Sequence, residues 1–192
     1  MARPRSEAAR RKALDAAIDL IAERGVSNLS IEEVATRSGV AKTTIYRHWP
    51  GRTSLIVDTI RSTFEHVATP DTGSVHDDLV AFFGGLIRAD LSGRTGKLMP
   101  CLLDAAGRDP EMEQLLDRIA VERQEPILRI VERAVARGEL PSELDRDVVI
   151  GTIVGPIVFR KMVWRQPADA GYIEACISVA LAGLRATAPV TA

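Results

Sequence analysis

The chain has 192 residues, room for one domain or two small ones at roughly 150 residues per domain. Hydrophobic residues make up 46% and charged residues 27%, which excludes a disordered, collagen-like or disulfide-stapled chain. Its 25 Lys and Arg against 26 Asp and Glu give a formal charge of −1, which taken alone argues against a protein that coats nucleic acid. The charge is unevenly spread. Residues 1–66 carry 11 basic against 8 acidic residues, and residues 67–192 carry 14 against 18. A basic front and an acidic back point to the front as the part that meets a polyanion.

Aromatics are 4% while Ala, Leu, Ile, Val, Arg and Glu abound, a helix-favouring composition. A first helix is predicted over 6–24, with Ser6 as its N-cap and Leu14, Ala17, Ile18 and Ile21 on one face. Gly25 stops it. Ser30, with Glu33 three positions on, opens a second helix as a capping box, and Ser38-Gly39 closes it. A third spans 41–49 and breaks at Pro50-Gly51, and a fourth spans 52–67. The turn-rich run 69–73 marks a boundary between a domain at 1–68 and another at 74–192.

The second part continues as helices over 75–92, 95–107, a long helix from Asp109-Pro110 to about Gly138, one over 143–165 capped by Ser142, and a last one over 169–186. Pro156 is expected to kink the helix that holds it. The expected fold is all-α, with nine helices and no sheet.

Residues 30–49 carry the informative pattern. Ala35, Gly39 four residues on and Ile45 six further have the spacing of a helix-turn-helix, with Gly39 supplying a positive φ at the turn. The second helix of such a unit enters the major groove. Lys42, Thr43, Thr44, Tyr46, Arg47 and His48 are its candidate DNA contacts. Thr43 and Thr44 suit a base edge or thymine methyl, and Tyr46 and His48 suit phosphate. Ser30 presents a helix N-terminus to phosphate, and Arg3 and Arg5 form a basic arm before the first helix.

The span 10–64, including SIEEVATRSGVAKTTIYRHWPGRTSLI, resembles the DNA-binding domain of TetR/AcrR-type one-component regulators. It departs from their commonest pattern at Ala41 (usually Ser), Thr43 (often Gly or Ala), Trp49 (usually Phe) and Arg52 (usually Lys). The resemblance implies that Arg52 contacts phosphate. It also implies that the C-terminal part binds an effector and dimerises through its last two helices.

The sequence agrees with dimerisation, because Val148–Phe159 is uncharged for twelve residues, too short to span a bilayer and too apolar for one chain to cover. The expected interface residues are Val148, Gly151, Thr152, Gly155, Phe159, Tyr172, Ile173, Cys176, Val179, Ala180 and Leu184. Candidate walls of an effector pocket are Phe82, Phe83, Leu86, Met99, Leu102, Leu103, Met112, Leu116 and Ile119, with Arg123 and Gln124 as polar anchors. Such walls favour an apolar or amphipathic ligand.

Cys101 and Cys176 lie 75 positions apart with no CxxC, so neither a disulfide framework nor a zinc site is expected, and a reducing, cytoplasmic setting fits. Arg3 and Arg5 lead into Glu7 with no apolar signal-peptide core. No nucleotide or hydrolase motif appears, and no cofactor, metal or enzymatic activity is expected. The expected function is a homodimeric, ligand-responsive transcriptional regulator acting on a pseudo-palindromic DNA operator. The alternative is a helical dimer that binds a small molecule or protein and no longer binds DNA.

Overall fold

The computed structural model describes residues 4–63, 68–89 and 94–187. Among the described residues there are nine α-helices, one 3-10 turn at Val26–Asn28 and no strand. The helices are α1 (Pro4–Arg24), α2 (Ile31–Ser38), α3 (Lys42–His48), α4 (Arg52–Ser62), α5 (Val75–Ala89), α6 (Arg94–Ala106), α7 (Pro110–Ala136), α8 (Arg146–Met162) and α9 (Ala170–Ala186). None of them is long and apolar enough to cross a membrane.

Packing groups the chain otherwise than a single cut at 68–74. One compact unit joins the N-terminal residues through 66 to residues 90–119, and the other joins 67–89 to 120–192. Helix α7 therefore contributes Met112, Leu115 and Ile119 to the first core, and Ile127, Ile130, Val131 and Ala134 to the second.

The first unit is built round α1. Its buried positions Ala13, Leu14, Ala16, Ala17, Ile18, Leu20 and Ile21 cover far more than one stripe. A helix buried that widely must be surrounded, and α2, α3, α4 and α6 all pack on it. Its small alanines let those neighbours come close. Pro4, the first described residue, is already helical, so Ser6 is not the N-cap; it lies inside the helix and its hydroxyl bonds the Nε2 of His48 at 3.0 Å. Gly25, at φ +80°, ends α1 in a backbone region other residues avoid, and the unanticipated 3-10 turn follows.

In the second unit α5, α7, α8 and α9 share a core of Val75, Leu79, Phe82, Phe83, Ile130, Ile153, Ile173, Ile177 and Leu181. Helix α8 starts at Arg146, capped by Asp145, whose Oδ1 accepts the Val148 N–H at 2.9 Å. The expected cap, Ser142, is thus corrected: the Asp145 carboxylate satisfies an open first-turn donor three residues later.

A polar network ties the 70–78 segment into this unit. The fully buried Asp78 accepts from the Thr72 N–H at 2.6 Å and hydroxyl at 2.8 Å, and lies 3.8 Å from both Arg133 and Arg137. Arg133 also donates to the Pro70 carbonyl. Glu139 accepts the Val75 N–H at 2.9 Å and Arg137 Nε at 2.6 Å. The Val75 N–H first, then Arg137, holds its carboxyl below the usual glutamate value, burial opposing them.

A lowered folded-state pKa adds stability that is complete above the unfolded value and vanishes as pH falls through the folded one. Glu139→Gln should therefore lower Tm at neutral pH, and the gap from wild type should close as pH falls below about 4.3, the usual glutamate value. Thermal melts of both proteins between neutral pH and pH 3 check this, and a gap constant with pH would disprove it.

Candidate nucleic-acid interface

Helices α2 and α3 meet at Gly39, which takes φ +67° and donates its N–H to the Ala35 carbonyl at 3.0 Å. A Cβ at Gly39 would meet nothing within 4 Å, so glycine is required here for its backbone angle, as expected, and not for close approach. Ser30 caps α2, its hydroxyl accepting the Glu33 N–H at 3.2 Å. The same hydroxyl bonds the Glu33 carboxylate at 3.2 Å, so the reciprocal arm of the box ends on the side chain of Ser30. Arg24 reaches that carboxylate at 2.5 Å.

Helix α3 sorts its residues by face. Ile45 and Trp49, four apart, are buried at 0% and 2% exposure. Lys42, Thr43, Tyr46 and Arg47 are exposed together on the opposite side, and Thr44 and His48 flank them half-buried. Arg47 therefore points away from the core and has no ion-pair partner among the described residues. Lys42 lies 3.5 Å from Glu32. Arg52, exposed at the start of α4, donates to the Val26 carbonyl at 2.6 Å, so part of its guanidinium is tied to the 3-10 turn.

Other cations of this unit are turned to internal pairing. Arg37 forms a two-pronged bond to Glu23 at 2.6 and 2.7 Å. That bond is the main cause of a Glu23 carboxyl below its usual value and an Arg37 guanidinium above its own. Arg10 pairs with Asp58 at 3.0 Å.

Residues 13–59 match the family described as bacterial regulatory proteins, tetR family, and residues 69–180 match tetracyclin repressor-like C-terminal domains. The HTH-type transcriptional regulator YdeS of Bacillus subtilis is 32% identical over 187 residues, covering 96% of this chain and 94% of that protein. The chain belongs to the TetR family of transcriptional regulators. MexZ, a repressor of Pseudomonas aeruginosa, is 25% identical and superposes with a TM-score of 0.67 over 93% of this chain and 96% of its own. A TetR-family regulator from Rhodococcus sp. shares the fold, with a TM-score of 0.74 at 20% identity over 94% and 100% of the two chains.

For a TetR-family chain the remaining expected positions fall as follows. Arg3 lies outside the described residues, and Arg5 is within α1, not on an arm preceding it. The pocket residues Leu102, Met112 and Ile119 are buried in the first core, with Met99 and Leu116 packed against it. Phe82 and Phe83 are buried in the second core, with Leu86 beside them. Leu103 is 51% exposed and is no wall: Leu102 and Ala105 take the inward face of α6, which leaves Leu103 outward. Arg123 and Gln124 are half-buried, and burial lowers the Arg123 guanidinium to about 10.

On the last two helices Ile173, Ala180 and Leu184, expected at a subunit interface, are buried in their own chain at 2% exposure each. The period of α9 puts them on the face that packs against α5 and α8. Val148, Gly151, Phe159 and Val179 are exposed, and Thr152, Gly155, Tyr172 and Cys176 are half-buried. Val158, Val163 and Trp164, which sequence reasoning missed, are exposed beside Phe159. They carry no periodic signal of their own; only the buried face of Val149, Ile153 and Ile157 reveals which side is left over.

The Ser30 cap is the one side-chain cap within the helix pair, since Ala41 offers none to α3. Ser30→Ala should cost about 1 kcal/mol of stability, whereas Ser30→Gly should cost only a few tenths. Urea denaturation followed by circular dichroism measures both, and equal losses would reject the capping role.

Proposed function

We propose that this chain is a ligand-responsive transcriptional repressor of the cytoplasm that binds a pseudo-palindromic operator as a homodimer, with α3 of each copy in the major groove. The observation that carries the reading is the division of α3. Its apolar residues are spent on the core, and a threonine, a tyrosine, a lysine and an arginine stand together on the open side. Thr43 and Thr44 would read base edges, Tyr46, Arg47, His48 and Arg52 would hold phosphate, and the α2 N-terminus at Ser30 would add a backbone contact. Two such helices would sit one turn of DNA apart, roughly 34–36 Å.

The dimer face we propose is the outer side of α8 and α9. Helix α8 leaves Val148, Gly151, Gly155 and Phe159 on the side opposite Val149, Ile153 and Ile157, and α9 leaves Ala175, Val179, Ala182 and Gly183. Two glycines lie between the bulky residues on α8 and small residues flank Val179 on α9, which suits two helix pairs meeting closely around a two-fold axis. The effector we propose is apolar or amphipathic. Phe82, Phe83 and Leu86 of the second unit are the apolar walls we propose for it, with Gln124 as a polar anchor. A differential affinity of the two operator-spacing states worth ~1–3 kcal/mol would lower DNA affinity roughly 5–150-fold.

Thr43→Ala should relax operator preference while leaving non-specific binding in place. Arg52→Ala should weaken binding to all duplexes and reduce the slope of log K against log salt by about one phosphate's worth, ~0.9. Fluorescence anisotropy on duplexes from the DNA upstream of the chain's own gene, at several salt concentrations, reads both. If neither substitution changes binding, the chain is a helical module that does not read DNA through α3.

Val179→Glu places a charge where 74% of the side chain is free in one subunit. It should leave the helical content of each chain intact and convert the dimer to monomer in sedimentation velocity. A dimer that persists unchanged would place the interface elsewhere.

A further inference from the structure

The departure of Trp49 from the phenylalanine usual at this place has a partner in the structure. The indole Nε1–H donates to Asp58 Oδ2 at 2.9 Å, and Arg10 donates to the same oxygen at 3.0 Å. One carboxylate on α4 therefore gathers a donor from α1 and a donor from the residue that ends α3. Trp49 is also the C-cap of α3, its backbone N–H donating to Ile45 at 2.9 Å, and its ring is 2% exposed. The neighbouring His48 ring, 5.4 Å from it, is held from α1 by Ser6 at 3.0 Å.

We infer that Trp49 and Asp58 are positioning residues for operator recognition: their bond sets the angle at which α3 is presented, and a phenylalanine at 49 would pack without setting it. The inference deepens the reading that α3 contacts DNA and rests on it. A helix of seven residues is about 10 Å long, so tilting it by about 10° about one end moves the other by about 2 Å. Hydrogen bonds to base edges weaken steeply over less than that. Apolar packing at Ile45 and the Trp49 ring is non-directional and fixes depth, not angle. The bond of an N–H to a charged carboxylate is directional and stronger than a neutral one. The second donor, Arg10, keeps the carboxylate oriented for the indole.

The test uses the full chain, a duplex selected by the wild-type protein from random sequence, and an unrelated duplex. Trp49→Phe keeps an aromatic ring and loses only the donor. It should lower the ratio of operator to unrelated-duplex affinity about tenfold, the order expected for losing a hydrogen bond to a charged group, with non-specific affinity unchanged. Asp58→Asn should act in the same direction with the tryptophan intact, Asp58→Glu should restore most of the ratio, and adding Trp49→Phe to Asp58→Asn should cost little more.

A wild-type ratio in Trp49→Phe, or a failure of Asp58→Glu to recover more than Asp58→Asn, overturns the inference. If Trp49→Phe is unfolded at the assay temperature by circular dichroism, the Asp58 pair decides alone. Thr43→Ala, run in parallel, separates the two readings. A loss of operator preference there with none in the Asp58 and Trp49 variants rejects the positioning role only, whereas no change in any of them rejects α3 as the reading element.

Discussion

The structure of the first unit depends on burying two residues, Ile45 and Trp49, from a helix too short to hold itself. Seven residues make fewer than two full helical turns, and isolated helices of such length are unstable in water. With no side-chain cap at Ala41, α3 also lacks the usual local help at its start. Its order comes from outside, from the core into which Ile45 and Trp49 insert. That requirement explains the rest of the unit. Helix α1 must expose apolar surface on most of its circumference to back α2, α3 and α4 at once. The α2–α3 turn must be tight, and Gly39 provides the angle that makes it so. The chain must break directly after Trp49, and Pro50-Gly51 break it. Helix α4 then begins close enough for Asp58 to meet the indole.

The last two helices follow the opposite logic. Helices α8 and α9 have enough apolar length to be stable in one subunit, and their inner faces are fully occupied by their own chain. What is unusual is the outer side, where Val148, Val158, Phe159 and Val179 are between 43% and 74% exposed. Exposed apolar residues scattered singly are ordinary, but here Val148 and Phe159 share one face of α8 with Gly151 and Gly155 between them. The proposed second copy covers this surface with the same surface, so one sequence change alters both sides of the contact. The Phe159 and Trp164 rings, edge to face at 5.2 Å, lie at the C-terminal end of that stripe.

Much of this was legible in the sequence. Helix number and class followed from apolar periodicity, and Gly39 and Ser30 behaved as their residue types require, because a positive φ and an N-cap are local properties. Faces were legible only in part. The Val148–Phe159 segment announced that it was apolar all round, but such a run carries no information about which side a subunit keeps for itself. Ile173, Ala180 and Leu184 were therefore assigned outward when packing against α5 and α8 draws them in. Caps compete, and a serine at 142 with an aspartate at 145 leaves the winner to the geometry of the approach to α8. The Asp58 bridge was signalled by a single residue type: a tryptophan in place of phenylalanine adds a buried N–H that needs an acceptor. Which carboxylate supplies it depends on the crossing of α1 and α4, which no local pattern encodes.

The charge distribution takes on a sharper meaning once the pairs are placed. Counted along the chain, the first 66 residues are only slightly basic, a weak basis for attraction to DNA. In the fold, Glu23 and Glu33 neutralise Arg37 and Arg24 on α1 and α2, and Asp58 neutralises Arg10 beneath α3. At physiological salt an exposed charge is felt over only about 8 Å. A duplex approaching α3 is therefore governed by the nearby cations more than by the domain total. Among the described residues Arg47 has no carboxylate partner, and Arg52 is bonded to the neutral Val26 carbonyl. Internal pairing takes Arg10, Arg24 and Arg37 out of that account and leaves Arg47 on the open face of α3.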